Sequence, residues 1–245
     1  MTLVLAHRGS GPHGPEPENS VAAFRAAASL GADGVELDVR RGRDGLLLVH
    51  HDAALADGRL LAELGPAELP SEVCSLAEAL DACGGLVVNV EIKNWPADLD
   101  YDPSEKVATA TGEVLAGRLA AGQHVVVSSF SRRALRAFSL AAPRVETAWL
   151  VGPERDPNVV GTLARAAGVE GLHPFETAVD AAYVEAARAF GLRLRVWTVD
   201  EPERITALAG LGVDAVITNE VTVARQAVAQ ARLAKGGPGL EQSAT

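Results

Sequence analysis

The chain has 245 residues, 48% of them hydrophobic, and a formal net charge of −10. That is enough for one large core, close to the roughly 250 residues of an eight-stranded β/α barrel, and with no linker to divide the chain a single domain over 1–234 is expected. The acidic balance argues against a nucleic-acid partner, which needs clustered Lys and Arg, but not against a phosphate substrate, because a bound divalent cation reverses the field locally.

In chain order, the N-terminus MTLVLAHRGS has neither the positive start nor the long apolar stretch of a signal peptide. No run reaches the ~18 apolar residues of a membrane span, so no membrane span and a cytoplasmic location are expected. The first strand-like run, Leu3–Ala6, opens at His7-Arg8-Gly9. The mouth of a first strand suits a histidine and an Arg that meets phosphate, and Gly9 permits a sharp exit. The Gly- and Pro-rich Ser10–Pro17 follows as a loop over that mouth; the alternative is a surface loop with incidental polar residues. Ser20–Leu30 reads as a helix stopped by Gly31.

Residues 34–40 read G-V-E-L-D-V-R. A buried strand should be almost wholly apolar, yet Glu36 and Asp38 stand two apart and so share one face. Two carboxylates on an inner face repel and lose hydration, which costs several kcal/mol, of order 3–5, unless they are paired or bound to a cation. A hard divalent ion relieves both problems; pairing with Arg40 or Arg41 is the alternative. Only Arg40–Gly45 separates this strand from the next run, Leu46–Val49. A parallel crossover needs a dozen or more residues, so the pair must be an antiparallel hairpin, with Asp44-Gly45 supplying the turn. With the turn near Arg43-Asp44, the return arm to His51 comes back level with Glu36 and Leu37. His50 and His51 are both candidates beside the carboxylates, on opposite faces, and Asp52 could orient the ring of His51.

Cys74 and Cys83 lie in or beside a helix at a spacing that fits no zinc motif, and reduced, partly buried thiols are expected. Further runs follow at Leu86–Ile92, His124–Ser128, Thr147–Val151, Val169–His173, Leu192–Val199 and Ala215–Thr218. Helical patterns lie between most of them, at Ser104–Ala120, Arg132–Ala141, Ala178–Phe190 and Glu203–Leu211. Ser104 and Ser131 read as N-caps, and Gly191 and Gly212 as ends. The alternation predicts an α/β fold with a parallel sheet, a (β/α)8 TIM-type barrel whose ninth run is a β-hairpin extension after the second strand. Residues 235–245 are expected to be a disordered tail.

Glu91 and Lys93 end their strand on one face, a metal ligand beside a phosphate binder or else a salt bridge closing the strand. Trp197, in a chain with only 4% aromatics, lines a pocket or fills the core, with Arg195 on the same face. His173 also stands at a mouth. Glu176, Asp200 and Glu220 read as loop charges.

The motifs H-R-G at 7–9, P-E-N-S at 17–20, G-A-D-G-V-E-L-D-V at 31–39, D-G-L-L-L-V-H-H-D at 44–52, E-I-K at 91–93, S-S-F at 128–130, V-W-T-V-D at 196–200 and G-V-D-A-V-I-T-N at 212–219 resemble the glycerophosphodiester phosphodiesterase family over nearly the whole chain. The resemblance implies hydrolysis of glycerophosphodiesters to glycerol 3-phosphate and an alcohol. It implies one divalent ion, Mg2+ or Ca2+, on Glu36, Asp38 and Glu91, with His7 and His51 as general acid and base. Arg8 and Lys93 would bind the phosphoryl oxygens, and Glu18 and Asn19 would brace the mouth. In related bacterial enzymes the substrate's own adjacent hydroxyl attacks first. A monomer or homodimer acting on a small-molecule diester is expected. A lysophospholipase D-like activity on single-chain lipids, or a barrel that binds phosphate without turnover, are the alternatives. Two departures stand out: the short segment after His51-Asp52, and the ending Thr218-Asn219-Glu220, where the family more often has T-D and a nearby Pro.

Overall fold

The computed structural model describes residues 1–11, 14–153 and 156–236. Eight parallel strands close into a barrel: β1 (Leu3–Ala6), β2 (Gly34–Arg41), β4 (Val87–Ile92), β5 (Val125–Ser129), β6 (Glu146–Val151), β7 (Gly171–Pro174), β8 (Arg193–Val196) and β9 (Ala215–Thr218), with β1 pairing both β9 and β2. The short β3 (Leu47–Val49) runs antiparallel to β2. β1 pairs β2 only at Gly34 and Val35, because β1 ends at Ala6; β3 takes up the same edge of β2 further along, at Val39–Arg41. The hairpin therefore stands on the C-terminal rim, where sites of this fold lie.

Helices alternate with the strands: α1 (Val21–Ser29), α2 (Leu76–Ala82), α3 (Lys106–Ala120), α4 (Arg132–Ala141), α5 (Pro157–Ala167), α6 (Ala181–Ala189), α7 (Pro202–Leu211) and α8 (Val221–Gly236). Ser20 and Ser131 cap α1 and α4 through their hydroxyls. Ser104 does not cap α3. Glu105, at φ 56°, holds that position, and Asp102 takes the Lys106 amide instead. The strand expected over Leu192–Val199 is only Arg193–Val196, because Trp197 keeps a single bridge, to Phe175, before the chain leaves the sheet. Helix α8 continues through residues 235 and 236, which the sequence assigns to a disordered tail; the rest of that tail, 237–245, lies outside the described residues. Cys74 and Cys83 are buried free thiols, their pKa values pushed up by burial to about 11 and about 12.

Strand alternation divides the interior. Val35, Leu37, Val39, Val88 and Val90 face outward and pack with helix residues such as Phe24, Leu80 and Phe138. The opposite parity faces the barrel axis and is unusually polar: Glu36, Asp38, Arg40, Asn89, Ser128, His173 and Arg195 are all buried. Part of this is neutralised by the Arg195–Glu146 pair at 2.7 Å, while Leu5, Ala215 and Ile217 form a small apolar cluster of their own.

Gly34 is the tightest point of strand packing: a Cβ there would meet the Val87 carbonyl oxygen at 2.4 Å. Gly34→Ala should destabilise the barrel by about 1–3 kcal/mol through overpacking. Gly117→Ala, on α3 with open space around the added methyl, should stabilise it by about 0.5–1 kcal/mol. Urea unfolding midpoints that fall together or rise together would contradict this account of the packing.

Candidate active site

The exit of β1 is built by backbone conformation. Arg8 and Asn19 both occupy the left-handed region, at φ 52° and 58°, a costly choice for Arg that persists only where surroundings demand it. In that turn the Arg8 amide donates to Glu36 Oε2 at 3.1 Å, and the Arg8 carbonyl accepts from the Asn19 amide at 2.9 Å. Gly9, at φ 83°, must stay a glycine, since a Cβ would lie 2.8 Å from the Ala23 backbone. Asn19 then reaches Asp38 twice, donating from Nδ2 at 2.8 Å and accepting the Asp38 amide at 3.2 Å. Glu18 pairs with Arg8 at 2.7 Å.

Glu36 and Asp38 face inward from β2, and the β2–β4 register sets Asp38 beside Glu91. Each of the three carboxylates offers an oxygen within 4.8 Å of the others. Their partners are Arg8 and Lys93, not Arg40: Arg8 Nε lies 3.2 Å from Asp38, and Lys93 Nζ lies 2.9 Å from Glu91 and 3.6 Å from Asp38. Burial, with repulsion from Asp38 and Glu91, pushes the Glu36 carboxyl well above its ordinary range. Burial likewise pushes Glu91 up to about 6, against the pull of Lys93. For Asp38 burial is outweighed by Lys93 and Arg8, which hold it below the ordinary value. Three clustered oxygen donors, two of them resisting ionisation for want of positive charge, fit a hard divalent cation. Arg8 Nε is buried without an aligned hydrogen-bond acceptor, although Asp38 lies 3.2 Å away as its ion-pair partner.

Both expected histidines are anchored at Nδ1. His7 Nδ1 meets Asn219 Oδ1 at 2.8 Å, and its Nε2 lies 3.9 Å from Glu36. His51 Nδ1 meets Asp52 Oδ1 at 2.7 Å, as its sequence neighbour suggests. The hairpin register places His50 opposite Asp38, its amide donating to the Asp38 carbonyl at 3.0 Å, one residue from the expected alignment. The His51 ring interacts electrostatically with Asp38. The His50 ring instead meets the Asp52 carbonyl and lines a separate cleft with Pro17, Glu18 and Asn19. Burial lowers the pKa of both His7 and His51.

Three features escape a reading of the sequence. Asp200 is no incidental loop charge. It accepts from the Asn219 amide at 2.8 Å, Asn219 Nδ2 at 2.7 Å and Thr218 Oγ1 at 3.0 Å, which turns Asn219 Oδ1 toward His7. Its only signal is its place in the V-W-T-V-D motif. Arg40, buried, donates from Nε to the His51 carbonyl at 2.7 Å and pairs with Asp100 at 2.6 Å and Asp98 at 3.5 Å, tying the hairpin to the loop after β4. His173 is fully buried without a partner for either ring nitrogen, and burial, with Arg195 nearby, holds its pKa well below the ordinary value. Trp197 is half-buried, donates to the His173 carbonyl at 2.7 Å, and meets Phe130 and Phe175 edge to face.

The chain matches, over residues 7–223, the sequence model of the glycerophosphoryl diester phosphodiesterase family. It is 32% identical over 241 residues to a glycerophosphodiester phosphodiesterase of Caldanaerobacter subterraneus subsp. tengcongensis, covering 89% of this chain and 94% of the relative. Its fold is similar to that of a glycerophosphodiester phosphodiesterase from Thermotoga maritima, with a TM-score of 0.76, 26% identity, and 92% and 98% of the two chains covered. It is also similar in fold to a phosphodiesterase of Oleispira antarctica solved with the product sn-glycerol-3-phosphate, with a TM-score of 0.83, 24% identity, and 94% and 97% covered. Among the described residues no helix is long and apolar enough to cross a membrane.

The raised carboxyls make a checkable linkage. Protonated Glu91 lends stability at acid pH that is lost as pH rises through about 6, and the raised Glu36 acts in the same sense. A cation needs the carboxylates bare. Added Mg2+ or Ca2+ should therefore raise the melting temperature little at pH 5 and clearly at pH 8, and Glu91→Gln should shrink the effect. An increment independent of pH, read by calorimetry, would remove the acidic cluster as the binding site.

Proposed function

The chain belongs to the glycerophosphoryl diester phosphodiesterase family, and on that premise we propose that it hydrolyses glycerophosphodiesters to sn-glycerol 3-phosphate and an alcohol, using one divalent cation, Mg2+ or Ca2+. The observation that carries this reading is the gathering of Glu36, Asp38 and Glu91 within 4.8 Å beside two anchored imidazoles.

Charge supports it. Three carboxylates outnumber Arg8 and Lys93, and Arg8 is shared with Glu18 as well, so the cluster carries a negative excess that a divalent cation would answer. Glu36, Asp38 and Glu91 would hold the ion, which when bound withdraws charge from the phosphoryl oxygens. Arg8, through the buried Nε without an aligned acceptor, and Lys93 would bind those oxygens. Trp197 would support the wall of the pocket through its edge-to-face contact with Phe130.

The histidine anchors divide the labour. The amide of Asn219 is fixed by Asp200, so the oxygen faces His7 and the neutral ring carries its hydrogen on Nδ1. Nε2 is left bare to take the proton of the attacking hydroxyl. Behind His51 stands the Asp52 carboxylate, which favours the imidazolium. That asymmetry suits His7 as base and His51 as the acid that protonates the leaving oxygen. Small water-soluble diesters are favoured over single-chain lipids, because Leu55, Leu61 and Leu64 of the segment after His51 bury themselves with Leu48.

Glycerol 3-phosphate should be released from glycerophosphocholine with Mg2+ or Ca2+ and not in EDTA. His7→Ala and His51→Ala should each lower kcat by roughly a hundredfold or more, with circular dichroism unchanged. Near wild-type rates in both folded variants would refute the acid–base assignment.

A further inference from the structure

Beside the acidic cluster, on the Glu91–Lys93 side, opens a cleft of ≈ 270 Å³. It is small even against the roughly 300–1,000 Å³ of ordinary ligand pockets, so it has room for a head group and not for an acyl chain. Two of its lining residues, Trp95 and Phe130, are aromatic. Trp95 is half exposed, an unusual position for an indole, and meets Phe130 edge to face at 6.5 Å; Phe130 in turn meets Trp197 at 5.6 Å. Trp95 is held there by its loop: its amide donates to Asp98 at 3.1 Å, and Asp98 and Asp100 are tied through Arg40 to the peptide of His51. The cleft is thus built into the same assembly that carries one of the two imidazoles.

The polar side chains lining this cleft are already engaged. Asn94 spends its amide on Asp102 and Glu105, Ser129 donates to the Ile92 carbonyl and accepts the Ser131 amide, and Ser131 caps α4. Lys93 and Glu91 hold one another. A polyol entering here would have to break hydrogen bonds of the fold to satisfy its own hydroxyls, at a net loss. A methylated ammonium has no hydrogen bonds to satisfy. It asks for aromatic surface, and the cleft offers Trp95 and Phe130, with the partly exposed carboxylate of Asp98 set against the ammonium of Lys93.

We propose that this cleft is the leaving-alcohol subsite and that it selects alcohols bearing a quaternary ammonium, of the choline type, with Trp95 and Phe130 as the specificity-determining residues. This rests on the diesterase reading above. It adds that the chain discriminates among leaving groups by cation–aromatic contact and not by hydrogen bonding.

The experiment has two arms. In the first, kcat/KM is measured for glycerophosphocholine, for its neutral isostere with a tert-butyl group in place of trimethylammonium, and for glycerophosphoglycerol. The choline diester should lead the neutral isostere by roughly five- to tenfold or more, with glycerophosphoglycerol poorer still, and Trp95→Leu or Phe130→Leu should collapse the ratio of the first two toward one. In the second, free choline is titrated against 15N-labelled protein. The Trp95 indole N–H resonance should move, and 3,3-dimethylbutanol should move it far less. Diesterase activity without preference among the three, and no choline-dependent shift, would overturn the subsite and leave the diesterase reading standing. A choline-dependent shift with no hydrolysis of any diester would support the cation site and refute the diesterase reading. Equal rates and equal shifts for choline and its neutral analogue would show an apolar pocket and sink the cationic selection.

Discussion

Three carboxylates face one another inside the rim of a closed barrel, and their mutual repulsion sets the terms for everything around them. Buried charges of one sign survive only if other groups answer them, and nearly every unusual feature of the rim is such an answer. Arg8 takes a left-handed backbone so that its amide reaches Glu36 while its guanidinium reaches Asp38. Asn19 adopts the same region and grips Asp38 from both amide atoms. Lys93 bridges Glu91 and Asp38. These answer only part of the charge, and the residual negative charge would suit the proposed cation and keeps the Glu36 and Glu91 carboxyls hard to ionise.

Around that centre the rim is held together by two polar ties that do not themselves belong to it. One runs from Asp200 through Asn219 to His7, and fixes which nitrogen of the ring carries hydrogen. The other runs from Asp98 and Asp100 through Arg40 to the carbonyl of His51. The ring of His7 is therefore oriented from behind by a polar network, while His51 has its backbone held by Arg40 and its ring by Asp52 at the surface. The ending Thr218-Asn219-Glu220 finds its physical reading here: an amide behind His7 leaves that ring with less support for a positive charge than the Asp52 carboxylate gives to His51.

The second tie also joins chemistry to recognition. Arg40 connects the hairpin that brings His51 to the loop that raises Trp95, so the wall of the cleft and the backbone of the proposed acid are tied together. The segment after His51 buries Leu55, Leu61 and Leu64 with Leu48 of the hairpin. What is left exposed beside the cluster is aromatic and compact.

Much of this was legible in the chain before any fold was known, because the period of a strand is two. Glu36 with Asp38, and Glu91 with Lys93, had to share faces, and a six-residue gap had to make a hairpin that delivers a histidine to an acidic strand. Those inferences need only local geometry, and the closed eight-stranded barrel with its antiparallel extension follows from the same alternation. The sequence could not show that Asn219 meets His7 across 212 residues, that Arg40 ignores the neighbouring Glu36 and Asp38 for aspartates 58 and 60 positions away, or that Trp95, Phe130 and Trp197 from three different loops make one wall. Such contacts depend on how far each strand is staggered against the next when the sheet closes, and stagger is a property of the whole barrel, not of any segment of it.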